Sequence, residues 1–544
     1  MFDRLARRLG ISAIPQVFFI AVGIVVVFVG FAIPFNEPFA AFFEQLGGFT
    51  FSKLGWFYVL SVSGLLLFLI WVASSRYGQI RLGPDGQGPE YGTTTWFCML
   101  FAAGIGTILM FWGVAEPMYH FAEPPLASVE GYTSDAAKLA INISMFHYGL
   151  HTWTIFTLPA LAIGYFAYRQ GLPMRISSVF YPVLGDRVCG PIGWAIDIVA
   201  LLGTLFGVAV SVALGTLQLN TGLNYLFDVP KGQLQELVIV AVITLVASTS
   251  VALGLDKGIK RLSEFNIVLA LLILLFVAIA GPTLFIVSGT VQNFGGYLQN
   301  LPWLSFWTEA YSDGNWQRQW TVFYFAWTIS WAPYVGIFIA RISKGRTIRQ
   351  FVFGALGAPL IFTLVWFSVF GLAAIDLDMN HGRNIAAQVR ADESEALFSF
   401  LSQFPLATLV SAVAVIVIVV FLTTSADSAA LVVDLLSRRD DQPSRTAQRV
   451  FWTLLLGLVA ATLLLGGGLD ALKNVITSLG FPFCVLLVFM AYSLTRALHA
   501  DYLGYSMREL ARGEAPRMDP MGSTPSEEKP LPPRDKTNTG TSDP

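Results

Sequence analysis

The chain has 544 residues, of which 55% are hydrophobic and 12% are charged, and its mean hydropathy is +0.64. Soluble domains carry about 25% charged residues, so this composition excludes a soluble globular protein and indicates one that crosses a membrane several times. The formal net charge of −2 gives no indication of a nucleic-acid partner.

Apolar stretches long enough for a hydrocarbon core of about 30 Å predict twelve transmembrane helices. Boundaries are placed where the apolar character ends. The predicted spans are 14–36, 55–75, 94–115, 138–168, 191–215, 233–254, 265–288, 320–340, 351–374, 404–436, 448–468 and 473–495. The fold class predicted from the sequence is therefore an all-α membrane protein.

Basic residues predict the orientation of these spans, because short cytoplasmic loops collect Lys and Arg. Clusters of basic residues precede span 1 and follow every even-numbered span up to span 10, whereas the odd-numbered loops are poor in them. Both termini are therefore predicted to be cytoplasmic, with residues 1–13 as a short N-terminus. Residues 496–544 are rich in Pro, Ser, Thr and mixed charge, which predicts a largely disordered tail.

The third span reads FAAGIGTILMFWGVAEP and contains Gly104 and Gly106 near its middle. Glycines at membrane depth weaken a helix and let backbone carbonyls approach a central ligand. Tight packing of helices through small residues is the alternative explanation. Glu116 near the end of this span, and Asp197 in span 5, are charged residues that we interpret as structural or gating groups.

Spans 3 and 8 are both interrupted by glycine or proline, and they occupy corresponding positions in the two halves of the chain. Each would open a block of five helices, 94–288 and 320–495, joined by an extracytoplasmic connector at 289–319. Two additional spans in 14–93 would precede the first block. Five is an odd number, so the two blocks would be inverted relative to each other in the membrane.

The fourth span contains HYGLHTWTIF, in which Tyr148, Trp153 and Phe156 share a broad face. These rings form either an aromatic wall of a binding site or ordinary helix packing, and the span alone leaves both open. His147 and His151 stand four residues apart, but no further ligand accompanies them in the sequence. We therefore predict no metal site there.

The eighth span, residues 320–341, places two tryptophans near its middle and then a proline. On a helical wheel Tyr324, Trp327, Thr328 and Trp331 fall within one narrow arc. Aromatic faces at membrane depth suit a ligand with an organic cation, because the ring quadrupole attracts positive charge. Packing between helices is an equally good explanation from this span alone.

The tenth span carries a polar cluster inside otherwise apolar sequence, which is costly in lipid and must face protein or water. Hydroxyl and carbonyl oxygens together form the hard ligand set that an alkali cation prefers. The alternative is that the hydroxyls bond only to carbonyls of their own helix. The cluster consists of Thr423, Thr424, Ser425, Asp427 and Ser428.

Four motifs in order resemble the betaine/choline/carnitine transporter (BCCT) family over residues 14–495. They are FAAGIGTILMFWGVAEP, HYGLHTW, WTISWAPYVGIFIARISKGRTIRQF and TTSADSAALVVDLLS. The resemblance implies twelve spans with a neurotransmitter-sodium-symporter-like inverted repeat and alternating access around a tryptophan box. It also implies a homotrimer embedded in the lipid of the bacterial inner membrane.

The resemblance also implies a substrate site, which differs here from that of betaine carriers. A tryptophan of the family's box falls on Thr328, and the family's GxGxG stretch becomes Gly104 to Ile108 with Thr107 inside it. These changes add two hydroxyls and remove one aromatic face, worth about 0.5–2 kcal/mol to a cation. The candidate substrate-binding residues are Tyr148, Trp153, Phe156, Tyr324, Trp327, Thr328, Trp331, Gly104, Gly106 and Thr107.

The sodium ligands of the sodium-coupled members fall on the side chains of Thr424 and Ser425 and on backbone near Ala102, Ile105 and Phe421. In relatives that take choline with a proton, the glycine stretch ends in an aspartate. Position 108 is isoleucine here, which argues against that branch.

We therefore predict a secondary active transporter that imports a small zwitterionic or quaternary-amine compatible solute, similar to glycine betaine, together with sodium. No enzyme activity and no cofactor besides the coupling sodium ion are expected, because the sequence shows no nucleophile–base pair or metal motif. Three alternatives stay open: a sodium-independent antiporter of betaine-like or carnitine-like solutes, a carrier of an osmolyte without a trimethylammonium group, and a membrane sensor that binds the solute without transporting it.

Overall fold

The computed structural model describes residues 2–9, 11–104, 106–254, 256–312, 314–438, 444–466 and 468–512. Within these ranges the chain is built of helices and contains no β-strand. Two isolated backbone bridges occur, between Ala13 and Arg438 and between Arg81 and Thr347. The all-α prediction is confirmed.

The helices are numbered in chain order. The first ten are α1 (Phe2–Leu9), α2 (Pro15–Ala32), α3 (Asn36–Ser74), α4 (Thr93–Gly104), α5 (Thr107–Ala122), α6 (Ser134–Tyr148), α7 (Leu150–Gly164), α8 (Tyr181–Leu184), α9 (Pro191–Phe227) and α10 (Gln233–Leu253). The others in the described ranges are α11 (Asp256–Ala280), α12 (Thr283–Leu304), α13 (Phe323–Ile342), α14 (Ile348–His381), α15 (Ile385–Ala391), α16 (Ala396–Leu401), α17 (Ala407–Ser437), α18 (Thr446–Leu465), α19 (Gly468–Tyr502) and α20 (Met507–Ala511). Tighter or wider turns occupy Arg76–Gln79, Tyr165–Arg169, Ser177–Phe180, Gly185–Cys189, Arg318–Val322 and Glu393–Glu395.

Eleven helical segments of the described chain are long and apolar enough to cross a membrane. Each coincides with one predicted span. The predicted third span is instead divided into α4, of 12 residues, and α5, of 16 residues, on either side of Gly106. Glycine lowers helix stability, so this break lies where the sequence predicted a weakened helix. The count of twelve spans and the inverted repeat stay predictions.

Two segments that were predicted to connect spans are helical: residues 37–54, and the first part of the connector predicted at 289–319. Residues 37–54 belong to α3, which is 39 residues long. The predicted seventh span stops early, because α11 ends at Ala280 and Gly281 and Pro282 follow. Proline disfavours helical geometry in the residue before it, so the chain leaves the helix here and starts α12 at Thr283.

The C-terminal helix also extends beyond its predicted end at 495. Helix α19 continues to Tyr502, and α20 follows after Ser506, whose side chain caps it by accepting a hydrogen bond from the backbone N–H of Glu509. The first part of the predicted disordered tail is thus ordered into helices. Residues 513–544, the rest of that tail, lie outside the described residues.

Helix α13 lies at the centre of the bundle. In the most apolar stretch of the segment that contains α13, 89% of the residues are buried, against 22% for the segment that contains α11. The large side chains of the peripheral helices point outward, where lipid replaces water as the solvent. Helix α13 packs on α7, where Gly336 lies against Pro159, and on α9, where Gly207 lies against Trp331.

Candidate functional site

A cavity of about 430 Å³ lies between α5, α7, α13 and α17. Its wall combines aromatic rings with hydroxyl groups and has few charges. The residues used in the argument below are Gly106, Tyr148, Thr152, Trp153, Phe156, Trp327, Thr328, Trp331, Phe421, Thr424, Ser425 and Ser428. The cavity therefore joins side chains from segments that are far apart in the sequence.

Most of the predicted substrate residues border this cavity. They are Gly106, Tyr148, Trp153, Phe156, Trp327, Thr328 and Trp331. Tyr324 does not border it, because the Tyr324 ring lies beside the Tyr148 ring with 5.0 Å between their centroids. Gly104 is the last residue of α4 and Thr107 the first of α5, so both flank the break beside the cavity.

The predicted sodium ligands meet the same cavity where the structure describes them. Phe421, Thr424 and Ser425 of α17 border it. Ala102 lies within α4, the helix that precedes the break. Ile105 lies outside the described residues.

The two tryptophans of α13 are held in different ways. The indole N–H of Trp327 donates to the carbonyl of Gly207 at 3.2 Å and to the hydroxyl of Ser211 at 3.2 Å. No described residue accepts a hydrogen bond from the buried indole N–H of Trp331, whose ring packs edge-on against Tyr334 at 5.7 Å. Trp327 is thus fixed by hydrogen bonds to α9, whereas packing alone holds Trp331.

Gly207 allows Trp331 to approach α9. A Cβ atom at Gly207 would lie 2.8 Å from Cδ1 of Trp331, which is closer than two carbon atoms can come without a shift. The absence of a side chain at this position therefore sets the position of the Trp331 ring in the cavity wall.

The aromatic wall of span 4 forms across a break between α6 and α7 at Gly149. A Cβ atom there would lie 2.3 Å from the carbonyl oxygen of Met145, so the backbone conformation at this break requires glycine. Tyr148 stacks on Phe367 at 4.8 Å. Trp153 and Phe156 meet edge to face at 5.7 Å. All three rings that were predicted as a second wall, those of Tyr148, Trp153 and Phe156, border the cavity.

Two hydroxyls in the wall direct their protons into their own helices. Thr328 Oγ1 donates to the carbonyl of Tyr324 at 2.7 Å, and Thr424 Oγ1 donates to that of Val420 at 2.8 Å. For Thr424 this bond is the one expected from the alternative that the hydroxyls of span 10 bond to carbonyls of their own helix. It does not exclude ligand binding, because each oxygen keeps lone pairs that can accept from a solute or coordinate a cation.

The polar cluster of span 10 divides between two faces of α17. Thr424, Ser425 and Ser428 border the cavity. Asp427 is buried, with Arg449 of α18 at 3.5 Å and Ser250 of α10 at 3.5 Å. The Asp427 carboxylate therefore pairs with a cation from a neighbouring helix, which offsets the cost of its burial.

Asp197, the charged residue of span 5, has a local structural role. Its two carboxylate oxygens accept hydrogen bonds from the backbone N–H of Ser177 at 2.9 Å and from the Ser177 hydroxyl at 2.8 Å. It therefore ties α9 to the turn Ser177–Phe180.

A buried polar cluster of Glu116, His120 and His147 lies beside the cavity wall, and the sequence analysis did not predict it. The prediction that His147 has no further partner was wrong, because the carboxylate of Glu116 lies 2.6 Å away. The spacing of Glu116 and His120, four residues apart on one helix face, is the sequence signal that could have indicated two of its members.

The fold is that of a multi-span, all-α membrane protein with a cavity between its helices. The chain matches the family described as BCCT, betaine/carnitine/choline family transporter, over residues 16–503. It therefore belongs to this transporter family, as the motif resemblance predicted.

Named relatives align over most of the chain. It is 42% identical over 501 residues to an ectoine/glycine betaine/proline transporter of Corynebacterium glutamicum, covering 91% of this chain and 82% of the relative. It is 41% identical over 488 residues to a glycine betaine transporter of Acinetobacter baylyi, covering 90% and 74%. It is 38% identical over 514 residues to a high-affinity choline transport protein of Escherichia coli K12, covering 93% and 75%. The protein is thus a multi-span membrane transporter in a family whose named members carry quaternary-amine and related solutes.

Proposed function

We propose that this protein is a secondary active transporter that imports a small zwitterionic compatible solute together with sodium. The observation that carries the proposal is one cavity that joins the aromatic wall of α7 and α13 to the hydroxyls of Thr424 and Ser425. The aromatic part suits the cationic end of a solute. The oxygen-rich part suits a small hard cation.

The break in the third span offers a place for the carboxylate of such a solute. Gly106 borders the cavity and stands directly before α5, which begins at Thr107. The first N–H groups of a helix lack partners within it, and the helix dipole makes this end positive. A zwitterion could therefore lie between the N-terminus of α5 and the ring of Trp331.

For the solute we propose glycine betaine or a more polar zwitterion such as ectoine. The motif resemblance places a third tryptophan of betaine carriers at the position of Thr328. Thr328 offers an acceptor oxygen in its place, so the cavity wall here is less aromatic and more polar. The Corynebacterium glutamicum relative is named for ectoine, glycine betaine and proline, which supports a solute range that includes cyclic zwitterions.

For the setting of the protein, we propose a homotrimer in the bacterial inner membrane with cytoplasmic termini. The alternation of basic loops and the family membership support this arrangement. Exposed apolar side chains on α12, including Leu284, Val287 and Val291, offer a surface that lipid or a second subunit would cover.

Uptake by purified protein in liposomes tests the function. We expect labelled glycine betaine or ectoine to accumulate with an inward sodium gradient and not with an equal potassium gradient. Sodium-independent exchange of internal for external solute would instead show an antiporter. Binding measured by tryptophan fluorescence, without uptake or counterflow, would show a sensor.

Replacing Thr328 with tryptophan should shift the selectivity towards trimethylammonium solutes. The new ring would add a cation–π face worth about 0.5–2 kcal/mol and remove the Thr328 oxygen from the wall. Competition against labelled solute with a panel of unlabelled osmolytes measures the shift. Thr328→Ser, which keeps the hydroxyl, is the matched control. An identical order of competitors in wild type and Thr328→Trp would show that position 328 does not face the solute.

A further inference from the structure

The cluster of Glu116, His120 and His147 is fully buried and lies outside the lining of the solute cavity. Oε1 of Glu116 is 2.6 Å from Nδ1 of His147 and 3.7 Å from Nε2 of His120. The other carboxylate oxygen, Oε2, has no hydrogen-bond donor among the described residues. A buried carboxylate is costly unless it is compensated, so this group needs a function or a counter-charge.

The neighbours of the two imidazoles indicate where their protons lie. The indole N–H of Trp316 donates to Nδ1 of His120 at 3.3 Å, so neutral His120 carries its proton on Nε2, which faces Glu116. His147 contacts Glu116 through Nδ1 and the Thr321 hydroxyl through Nε2 at 2.9 Å. Both imidazoles can therefore direct an N–H towards the carboxylate while remaining neutral.

The arrangement also accepts one more proton without losing a hydrogen bond. The Thr321 hydroxyl can either donate to Nε2 of His147 or accept from it, because a hydroxyl is both donor and acceptor. The 2.6 Å contact between Glu116 and His147 has the length of a charge-assisted hydrogen bond. An added proton would bind to Nε2 of His147, where the Thr321 hydroxyl accepts a hydrogen bond from it, and the resulting imidazolium would neutralise the charge of the carboxylate.

On one side, two tyrosines connect the cluster with the solute cavity. The Tyr324 ring is 4.9 Å from the ring of His147 and 5.0 Å from that of Tyr148, which borders the cavity. Both hydroxyls are buried. The rings of Tyr324 and Tyr148 thus connect His147 with the wall of the solute cavity.

On the other side, the Trp320 ring separates the cluster from Lys473, which borders a second, polar cavity of about 350 Å³. Nζ of Lys473 lies 5.2 Å from the ring centre of Trp320, and that ring is 4.4 Å from the ring of His120. Besides His120 and His147, the titratable or charged side chains of the described elements around Glu116 include Tyr119, Tyr148, Tyr324, Lys473, Glu393, Asp470, and the ion pair of Glu123 with Arg390.

From this geometry we propose that Glu116 and His147 form a proton-binding site of the transport cycle, with His120 as a positioning residue. A proton from water binds to Nε2 of His147, so that an imidazolium pairs with the Glu116 carboxylate, and it leaves to water on the opposite side when the carrier changes conformation. No other bond forms or breaks. The site differs from the aspartate of proton-coupled choline carriers, since position 108 is isoleucine. This inference rests on the proposed transport activity.

Proton movement during solute uptake tests the proposal. Purified protein is placed in liposomes that contain a pH-sensitive dye, with equal sodium inside and outside and the membrane potential clamped by potassium and valinomycin. An inward gradient of glycine betaine or ectoine should acidify the lumen of wild-type vesicles in proportion to the solute taken up. Glu116→Gln should lower the ratio of protons to solute at least about tenfold, and His147→Gln should also lower it.

His151→Gln is the matched control. His151 is buried on the next helix of the same span and lies 3.1 Å from the Ser305 hydroxyl, with no carboxylate in contact among the described residues. We expect this variant to keep the wild-type ratio. Solute-dependent tryptophan fluorescence checks that each variant is folded.

Wild-type uptake without acidification, or an unchanged ratio in Glu116→Gln, would overturn the proton site. Either outcome would leave the transport proposal standing. Absence of any solute uptake or exchange by folded wild-type protein would instead overturn the transport proposal, and the proton site with it. The wild-type measurement alone decides the matter if Glu116→Gln fails to fold.

Discussion

Replacing Trp331 with alanine should lower the apparent affinity for the solute at least about tenfold, equivalent to about 1.4 kcal/mol. Trp331 borders the cavity, and packing holds its ring in place without a hydrogen bond to any described residue. Removing the ring therefore removes an aromatic face from the solute and breaks no hydrogen bond of the scaffold. The variant should still be expressed and inserted.

Solute titrations of uptake, with sodium saturating, measure this effect. Trp56→Ala is a suitable control, because Trp56 lies on α3 with 54% of its surface exposed, away from the cavity. It should leave the half-saturating solute concentration unchanged. Wild-type kinetics in Trp331→Ala would mean that the stripe on α13 serves packing alone.

The helical period predicted much of the cavity wall, because it fixes the direction of side chains around one helix. Trp327, Thr328 and Trp331 share an arc of α13, and all three border the cavity. Tyr324 shares that arc but not the cavity, since Tyr148 from another helix lies beside it. The period gives the direction of a side chain but not what a neighbouring helix places in front of it.

Groups whose partners come from other segments could not be predicted in this way. The contact of Glu116 with His147 joins residues 31 positions apart, and Lys473 approaches the same region from the C-terminal part of the chain. In the sequence these are isolated polar residues in apolar spans. Their burial cost indicated that each needs a partner, but only the packing of α5, α6 and α19 shows which partner it is.

The interruptions of the helices by glycine or proline were predicted at one position and missed at another. The break at Gly106 lies where the sequence predicted a weak helix, whereas the predicted end at 288 missed the stop at Pro282. The apolar run continues past Pro282, so hydropathy alone extended the span. Residues 37–54 contain Pro38 in the first turn and Gly47 and Gly48 further on, yet they join α3 although their hydropathy is lower.

Replacing Thr424 and Ser425 together with alanine should raise the half-saturating sodium concentration for uptake at least about tenfold, about 1.4 kcal/mol. Both residues border the cavity, and the proton of the Thr424 hydroxyl is directed to the carbonyl of Val420. The lone pairs of that oxygen are therefore free to coordinate a cation, and alanine offers none. Solute affinity at saturating sodium should change much less, because the aromatic wall stays intact.

Thr423→Ala is the matched control for this double variant. Thr423 precedes Thr424 and donates to the carbonyl of Val419 at 2.9 Å in the same way, but it does not border the cavity. Sodium titrations of uptake at saturating solute, and solute titrations at saturating sodium, separate the two effects. We expect Thr423→Ala to keep the wild-type sodium dependence. If the double variant keeps it as well, the hydroxyls of α17 do not bind the coupling ion, and the sodium part of the proposed function is wrong.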